Sequence, residues 1–236
     1  MSLSHDKPEL RIDWCSYEAA KYAVTHWHYS KRMPKSKLAK IGVWEDGRFI
    51  GVAIFGVGAT ADLVKRFGID KTQGCELVRV ALAAHRTPVT KIIALAMRIL
   101  KREMPGLRLV VSFADPEHGH NGGIYQGGNW LYCGMSQASE EYVVNGKRWH
   151  GRAFRASKPA RLTTREAALQ MDPDYQVVMG SSKHRYLYPL DKAMAAQIEP
   201  LRQPYPKRAD VVQAVEQQGP PADGGANPTR PLEVTT

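Results

Sequence analysis

The sequence predicts an α/β protein in which helices flank a mixed sheet. Three observations carry that expectation. Short apolar runs at 41–45, 49–55, 75–82 and 107–114 have the length and composition of strands. Val89, Ile92, Ile93, Ala96, Ile99 and Leu100 recur at helical spacing, while Lys91, Arg98 and Lys101 fall elsewhere on the wheel. Asp46-Gly47 and Asn145-Gly146 each separate two extended runs, the usual signal of a tight hairpin.

In chain order, Ser16 is placed to cap a helix that runs from Tyr17 through Val24 and ends between His26 and Tyr29. The basic, proline-bearing stretch Lys31–Lys37 reads as a loop. Ile41–Glu45 and Phe49–Phe55 form the first hairpin, and Cys75–Leu82 a further strand. Pro88 fits the first turn of the amphipathic helix, which Pro105-Gly106 stops. Leu107–Ala114 then reads as a buried strand, followed by a short helix carrying Ile124-Tyr125-Gln126. Asn129–Tyr132 returns as a strand, and Tyr142–Val144 and Trp149–Arg152 form the second hairpin. Thr163 or Thr164 caps a helix reaching Met171. Residues 1–203 are expected to be one domain, and 204–236, rich in Pro and Gly, a disordered tail. Helix, hairpin, strand-helix-strand, helix and final strand pair is the order of an acetyltransferase-like sheet; by itself that is an analogy of topology.

The 33 Lys and Arg exceed the 23 Asp and Glu, a net charge of +10. That excess suits a polyanion such as nucleic acid, although an anionic membrane surface fits it too. Cys15, Cys75 and Cys133 are too few and too scattered for a disulfide framework, and none belongs to a CxxC pair, which excludes a zinc ribbon. The first ten residues are charged and lack the apolar stretch of a signal peptide, and no run has the length of a membrane span. The expectation is a cytoplasmic protein with no membrane partner.

Two segments carry chemistry. Ser112 to Gln126 places ionisable groups directly after a buried strand, at the sheet edge where α/β proteins bind ligands. Asp115 is a candidate base or orienting group there, and Ser112 and Tyr125 are candidate hydrogen-bond donors; otherwise Asp115-Pro116 starts a turn and Tyr125 fills the core. His26 to Arg32 interleaves aromatic rings with cations, suiting a stacked base and its phosphates. His26 and His28, with a carboxylate such as Asp115, also offer a ligand set for a divalent metal, although their spacing does not share one helix face. Strict alternation puts Glu76 and Arg79 on opposite faces of their strand, leaving Arg79 for an anionic ligand or a distant carboxylate. Lys183–Tyr188 either contacts phosphate or forms a final strand packed through Tyr186 and Tyr188.

Several of these segments, in order, resemble the phage Mom family: His28-Tyr29-Ser30, Gly42–Glu45, Glu76–Leu82, the run Gly106–Trp130 with its Ser-Phe-Ala-Asp-Pro core, and Lys183–Tyr186. The resemblance implies an acetyltransferase-like (GNAT) fold and an enzyme that converts adenine in double-stranded phage DNA to an N6-carbamoylmethylated form, shielding it from restriction. It makes His28, Tyr29, Arg79, Ser112, Asp115 and Tyr125 the catalytic candidates. Trp27, Lys31, Arg32, Lys35, Lys183 and Arg185 are the DNA-binding candidates, with Trp27 or Trp130 stacking on a flipped adenine. The donor is open, with acetyl-CoA or a related molecule and a divalent metal such as iron as candidates. An ordinary acetyltransferase carries a glycine-rich pyrophosphate loop where this chain reads Ala83–Val89. Arg86 and Thr87 remain the cofactor-binding candidates, as cation and helix-start amide. The alternatives are an ordinary acyltransferase acting on a small amine or protein, and a DNA-binding protein without activity.

Overall fold

The computed structural model describes residues 7–57, 63–151, 154 and 162–207. Arg152 and the stretch 208–236, including most of the expected tail, lie outside the described residues.

Helix α1 (Tyr17–Trp27) starts where Ser16 Oγ accepts the Ala19 amide. Strands β2 (Leu38–Glu45) and β3 (Arg48–Gly56) pair antiparallel through the Asp46-Gly47 turn, whose φ values of 51° and 75° are those a two-residue hairpin of native twist requires. Strand β4 (Gly74–Leu82), helix α2 (Val89–Glu103) and strand β5 (Leu109–Ala114) form a crossover that makes β4 and β5 the parallel pair of the sheet. Helix α3 (Gly123–Gln126) follows, then β6 (Leu131–Met135). Strand β10 (His184–Pro189) pairs antiparallel with both β5 and β6. With β1 (Leu10–Trp14) at its edge, the main sheet has the order β1-β2-β3-β4-β5-β10-β6, a mixed sheet as expected.

The structure adds three elements to the expectation. Strand β1 (Leu10–Trp14) is an edge strand on β2. Strand β9 (Gln176–Met179) and helix α5 (Lys192–Ile198) were also unanticipated. The second hairpin, β7 (Glu140–Val144) and β8 (Lys147–His150), does form, but it does not join the main sheet. With β9 it makes a separate sheet of order β8-β7-β9, covered by α4 (Thr164–Met171), and the whole unit is inserted between β6 and β10. The turn signal specified the hairpin; which sheet it joined was decided by packing of Tyr142, Val144 and Phe154 against Ala167 and Ala168. Pro88 caps α2 from outside with extended backbone, and is not part of its first turn.

One side of the main sheet packs on α2 and α3 through Phe55, Leu77, Ile93, Leu100 and Tyr125. The other side packs on α1 near β3 and β4, and on α5 with the Lys65–Phe67 turn near β5 and β6. Strand β4 carries a bulge that matters for the site: Ile54 faces Arg79, but its neighbour Phe55 faces Leu77, so Val78 is the extra residue. Leu77 and Val80 therefore both reach the α2 side, and Glu76 and Arg79 share the α1 side, contrary to the expected alternation.

Candidate functional site

The β4–β5 pairing runs only from Gly74–Leu109 to Glu76–Val111, and beyond it the strands part. On the α1 side of this opening lies a cavity of about 410 Å³. Its lining combines Glu76 and Arg79 of β4, Phe113 of β5 and Asp115 just after it, Lys183 and Arg185 of the β10 region, and Tyr29 at the end of α1. The inserted unit closes it with Ser136, Gln137, Ser139, His150 and Ser181. The sequence offered no short-range signal for these last residues, because they reach the cavity only through the insertion.

Asp115 is 7% exposed and is the charged hub of the cavity. Its carboxylate accepts from Lys183 Nζ at 2.7 Å, from Ser181 Oγ at 3.3 Å and from the Glu117 amide at 3.1 Å, with His118 Nδ1 at 3.5 Å. Burial pushes its pKa up, but the Lys183 hydrogen bond and charge, with His118, outweigh burial and hold it below the usual carboxylate value. Tyr29 leans over this loop, its ring centroid 4.6 Å from His118, 5.5 Å from His120 and 4.3 Å from His28.

His28 is 8% exposed, and its Nδ1 accepts the Ser30 amide at 3.1 Å beside the Ser30 hydroxyl at 2.8 Å. Burial, then the Arg79 charge, pushes its pKa down to about 4. At neutral pH the ring is uncharged, and because Nδ1 accepts the amide, the proton sits on Nε2 as a donor.

Ser112 and Tyr125 sit in the core on the α2 side. Ser112 Oγ lies 2.9 Å from the Leu77 carbonyl and 2.7 Å from the Tyr125 hydroxyl. With its single proton given to the carbonyl, Ser112 accepts from Tyr125, and the pair bridges β4 to α3 where the strands part. Burial pushes the Tyr125 phenol up to about 12.

The expected DNA contacts separate into groups. Arg32 and Lys35 are exposed on the loop after α1, and Lys31, also exposed, gives its Nζ to the His26 carbonyl at 2.7 Å. Trp27 packs partly buried against the α1 core, with its ring centroid 6.0 Å from Phe49, and Trp130 is 1% exposed in the main core. Trp130 therefore has no face to offer a base; Tyr29, 52% exposed at the cavity, has one. Arg185 is also a correction. It is 9% exposed and donates Nε to Cys133 Sγ at 3.1 Å, so it lines the cavity and does not project from the surface.

The helix start ahead of α2 is already filled by the protein itself. Glu45 accepts the Arg86 amide at 2.9 Å, the Thr87 amide at 2.8 Å and the Thr87 hydroxyl at 2.6 Å, and Asp46 pairs with the Arg86 guanidinium. Burial works against the Glu45 charge, yet these hydrogen bonds hold its pKa down at about 2. A cofactor phosphate does not fit amides that are engaged this way, so the expected roles of Arg86 and Thr87 are not supported by the geometry. The metal set is not assembled either. His26 gives Nδ1 to the Tyr22 carbonyl at 2.8 Å, and no group of three or more His, Cys, Asp or Glu among the described residues is placed to hold an ion.

Residues 9–207 match the Mom protein family. The chain belongs to that family. It is 26% identical over 212 residues to the methylcarbamoylase Mom of Escherichia phage Mu, covering 87% of each chain. Among solved structures it is similar to a tandem GNAT protein of the clavulanic acid pathway (10% identity, 58% of this chain and 48% of that one, TM-score 0.37). A protein of Acinetobacter baylyi described as an acetyltransferase is similar at 13% identity (85% of this chain and 99% of that one, TM-score 0.40). Among the described residues no helix is long and apolar enough to cross a membrane. Of the candidate residues, His28, Tyr29, Arg79 and Asp115 converge on or beside one cavity, while Ser112 and Tyr125 brace the sheet behind it.

Proposed function

We propose that this chain is a DNA-modifying enzyme that converts adenine to an N6-carbamoylmethylated form, as a phage defence against restriction inside the bacterial host. Membership of the Mom family carries the reading, and the convergence of His28, Tyr29, Arg79 and Asp115 on or beside one cavity supports it. The adenine amine is a weak nucleophile because its lone pair is delocalised into the ring, so the base must leave the duplex and lose a proton during attack.

In this reading the flipped adenine enters past Tyr29, whose exposed ring gives it a face to stack on. The Asp115 carboxylate, kept ionised by Lys183, accepts the proton from the amine. His28, neutral and carrying its proton on Nε2, orients the base as a hydrogen-bond donor. Lys31, Arg32 and Lys35 hold the backbone outside. An ordinary acyltransferase needs free amides ahead of α2 for its cofactor, and Glu45 takes them.

Nucleoside mass spectrometry of DNA from bacteria expressing the chain tests this directly. An adenosine species heavier by the carbamoylmethyl group is expected. Unmodified adenosine in cells that contain folded protein would overturn the reading.

A further inference from the structure

A guanidinium taken out of water needs a compensating anion or a full set of acceptors, because an uncompensated buried charge is costly. Two arginines of the cavity, Arg79 half-buried and Arg185 buried, lack that compensation among the described residues. Arg79 gives one terminal nitrogen to the Val78 carbonyl at 2.7 Å, while its buried Nε has no hydrogen-bond partner. Arg185, 9% exposed, gives its Nε to a thiol, a weak acceptor, at 3.1 Å. Among the described residues no carboxylate is within ion-pairing distance of either; Asp115, on the same wall, is engaged by Lys183. Arg66 adds a third guanidinium to the lining. The Val78 bulge is what delivers Arg79 to this side of the sheet.

We infer that Arg79 and Arg185 form an oxyanion subsite that holds a carboxylate or phosphate group of the small molecule donating the modifying group. This rests on the proposed function and names the chemical class of its second substrate. The carbamoylmethyl group left on adenine is neutral, so the anionic group belongs to the part of the donor that is not transferred. A backbone phosphodiester is a poorer occupant, since it would have to bring nucleosides on both sides into a cavity of about 410 Å³. Planar guanidinium groups suit such an anion because they bind two oxygens at once.

The test uses the full chain and two probes, inorganic phosphate and sodium acetate, each titrated at ionic strength matched with chloride while the thermal midpoint is followed. One probe is expected to raise the midpoint by about 3 °C near saturation. The responding probe tells phosphate from carboxylate. Arg79→Gln and Arg185→Gln each abolish the rise, whereas Arg98→Gln, on the exposed side of α2, keeps it. If Arg185→Gln fails to fold, Arg79→Gln and Arg185→Lys decide, the latter keeping a reduced rise. No rise in the parent protein, or equal rises in the Gln variants, overturns the subsite. A double Gln variant that keeps the anion response and loses only duplex affinity assigns the arginines to the DNA backbone and also overturns it. Unmodified adenosine alongside an intact anion response would count against the DNA-modification reading and leave the subsite standing.

Discussion

Lys183 Nζ and an Asp115 carboxylate oxygen meet at 2.7 Å on the wall of the cavity, joining the loop after β5 to the residue that leads into β10. The Ser136 hydroxyl accepts the Lys183 amide at 2.9 Å and so fixes that residue from the inserted unit. The pair keeps Asp115 ionised, as the proton-acceptor role proposed for it requires. Asp115→Asn is expected to abolish adenine modification while duplex affinity, measured by fluorescence anisotropy, stays within about threefold, under 1 kcal/mol. An Asn variant that modifies DNA at the parent rate removes Asp115 from the mechanism.

His28 gives the protein a pH dependence whose sign follows from its burial. In the unfolded chain its pKa is near 6.5, and in the folded chain about 4. Between those values the unfolded state takes up a proton that the folded state does not, so stability falls as the pH drops through this window and is unaffected by His28 above it. Thermal midpoints measured from pH 7.5 to pH 4.5 should decline in the parent and decline less steeply in His28→Gln. Parallel curves would show that the ring is not held neutral.

Glu45 stands in for a bound anion at the start of α2. Glu45→Ala strips three hydrogen bonds, two of them from the buried Thr87, and is expected to cost about 2–4 kcal/mol in urea unfolding. Because the folded carboxyl is held at about 2, below the usual Glu value of 4.5, its stabilisation is full above pH 4.5 and fades as the pH falls toward 2. A midpoint shift below about 1 kcal/mol would mean that water replaces the carboxylate without loss.

The local grammar of the chain was legible. Ser16, Asp46-Gly47 and Thr163 each specify their element from side chains within three residues, and each element forms as expected. What was not legible depends on distance. The Val78 bulge is defined by how β4 pairs with β3, and the Glu45–Thr87 contact spans 42 residues. Strand β1 is different: Leu10-Arg11-Ile12-Asp13-Trp14 alternates apolar and charged residues, a strand signal that the sequence does carry. In the candidate site, the segments around Asp115 and His28 stand out in the sequence, while Ser139, His150 and Ser181 arrive from an insertion whose position only the folded sheet shows.

The basic loop after α1 should set the salt dependence of DNA binding. Lys31, Arg32 and Lys35 are all exposed. Changing all three to Gln is expected to reduce the slope of log affinity against log salt by up to about 2.7, the value for three lost phosphate contacts. An unchanged slope would place the duplex on another face.

Strand β10 lies between β5 and β6, although it is the last of the three to be synthesised. Strand β6 therefore has no partner in the main sheet when it leaves the ribosome, and the edge of β5 stays open while the inserted unit is made. That unit gathers its own apolar cluster around Tyr142 and Phe154. The main sheet closes only when a strand 70 residues beyond β5 slots into the gap. Until then the nascent chain displays two unpaired strand edges, the kind of surface that chaperones bind and that aggregates at high expression. The topology thus concentrates the risk of misfolding in the interval before Pro189 emerges.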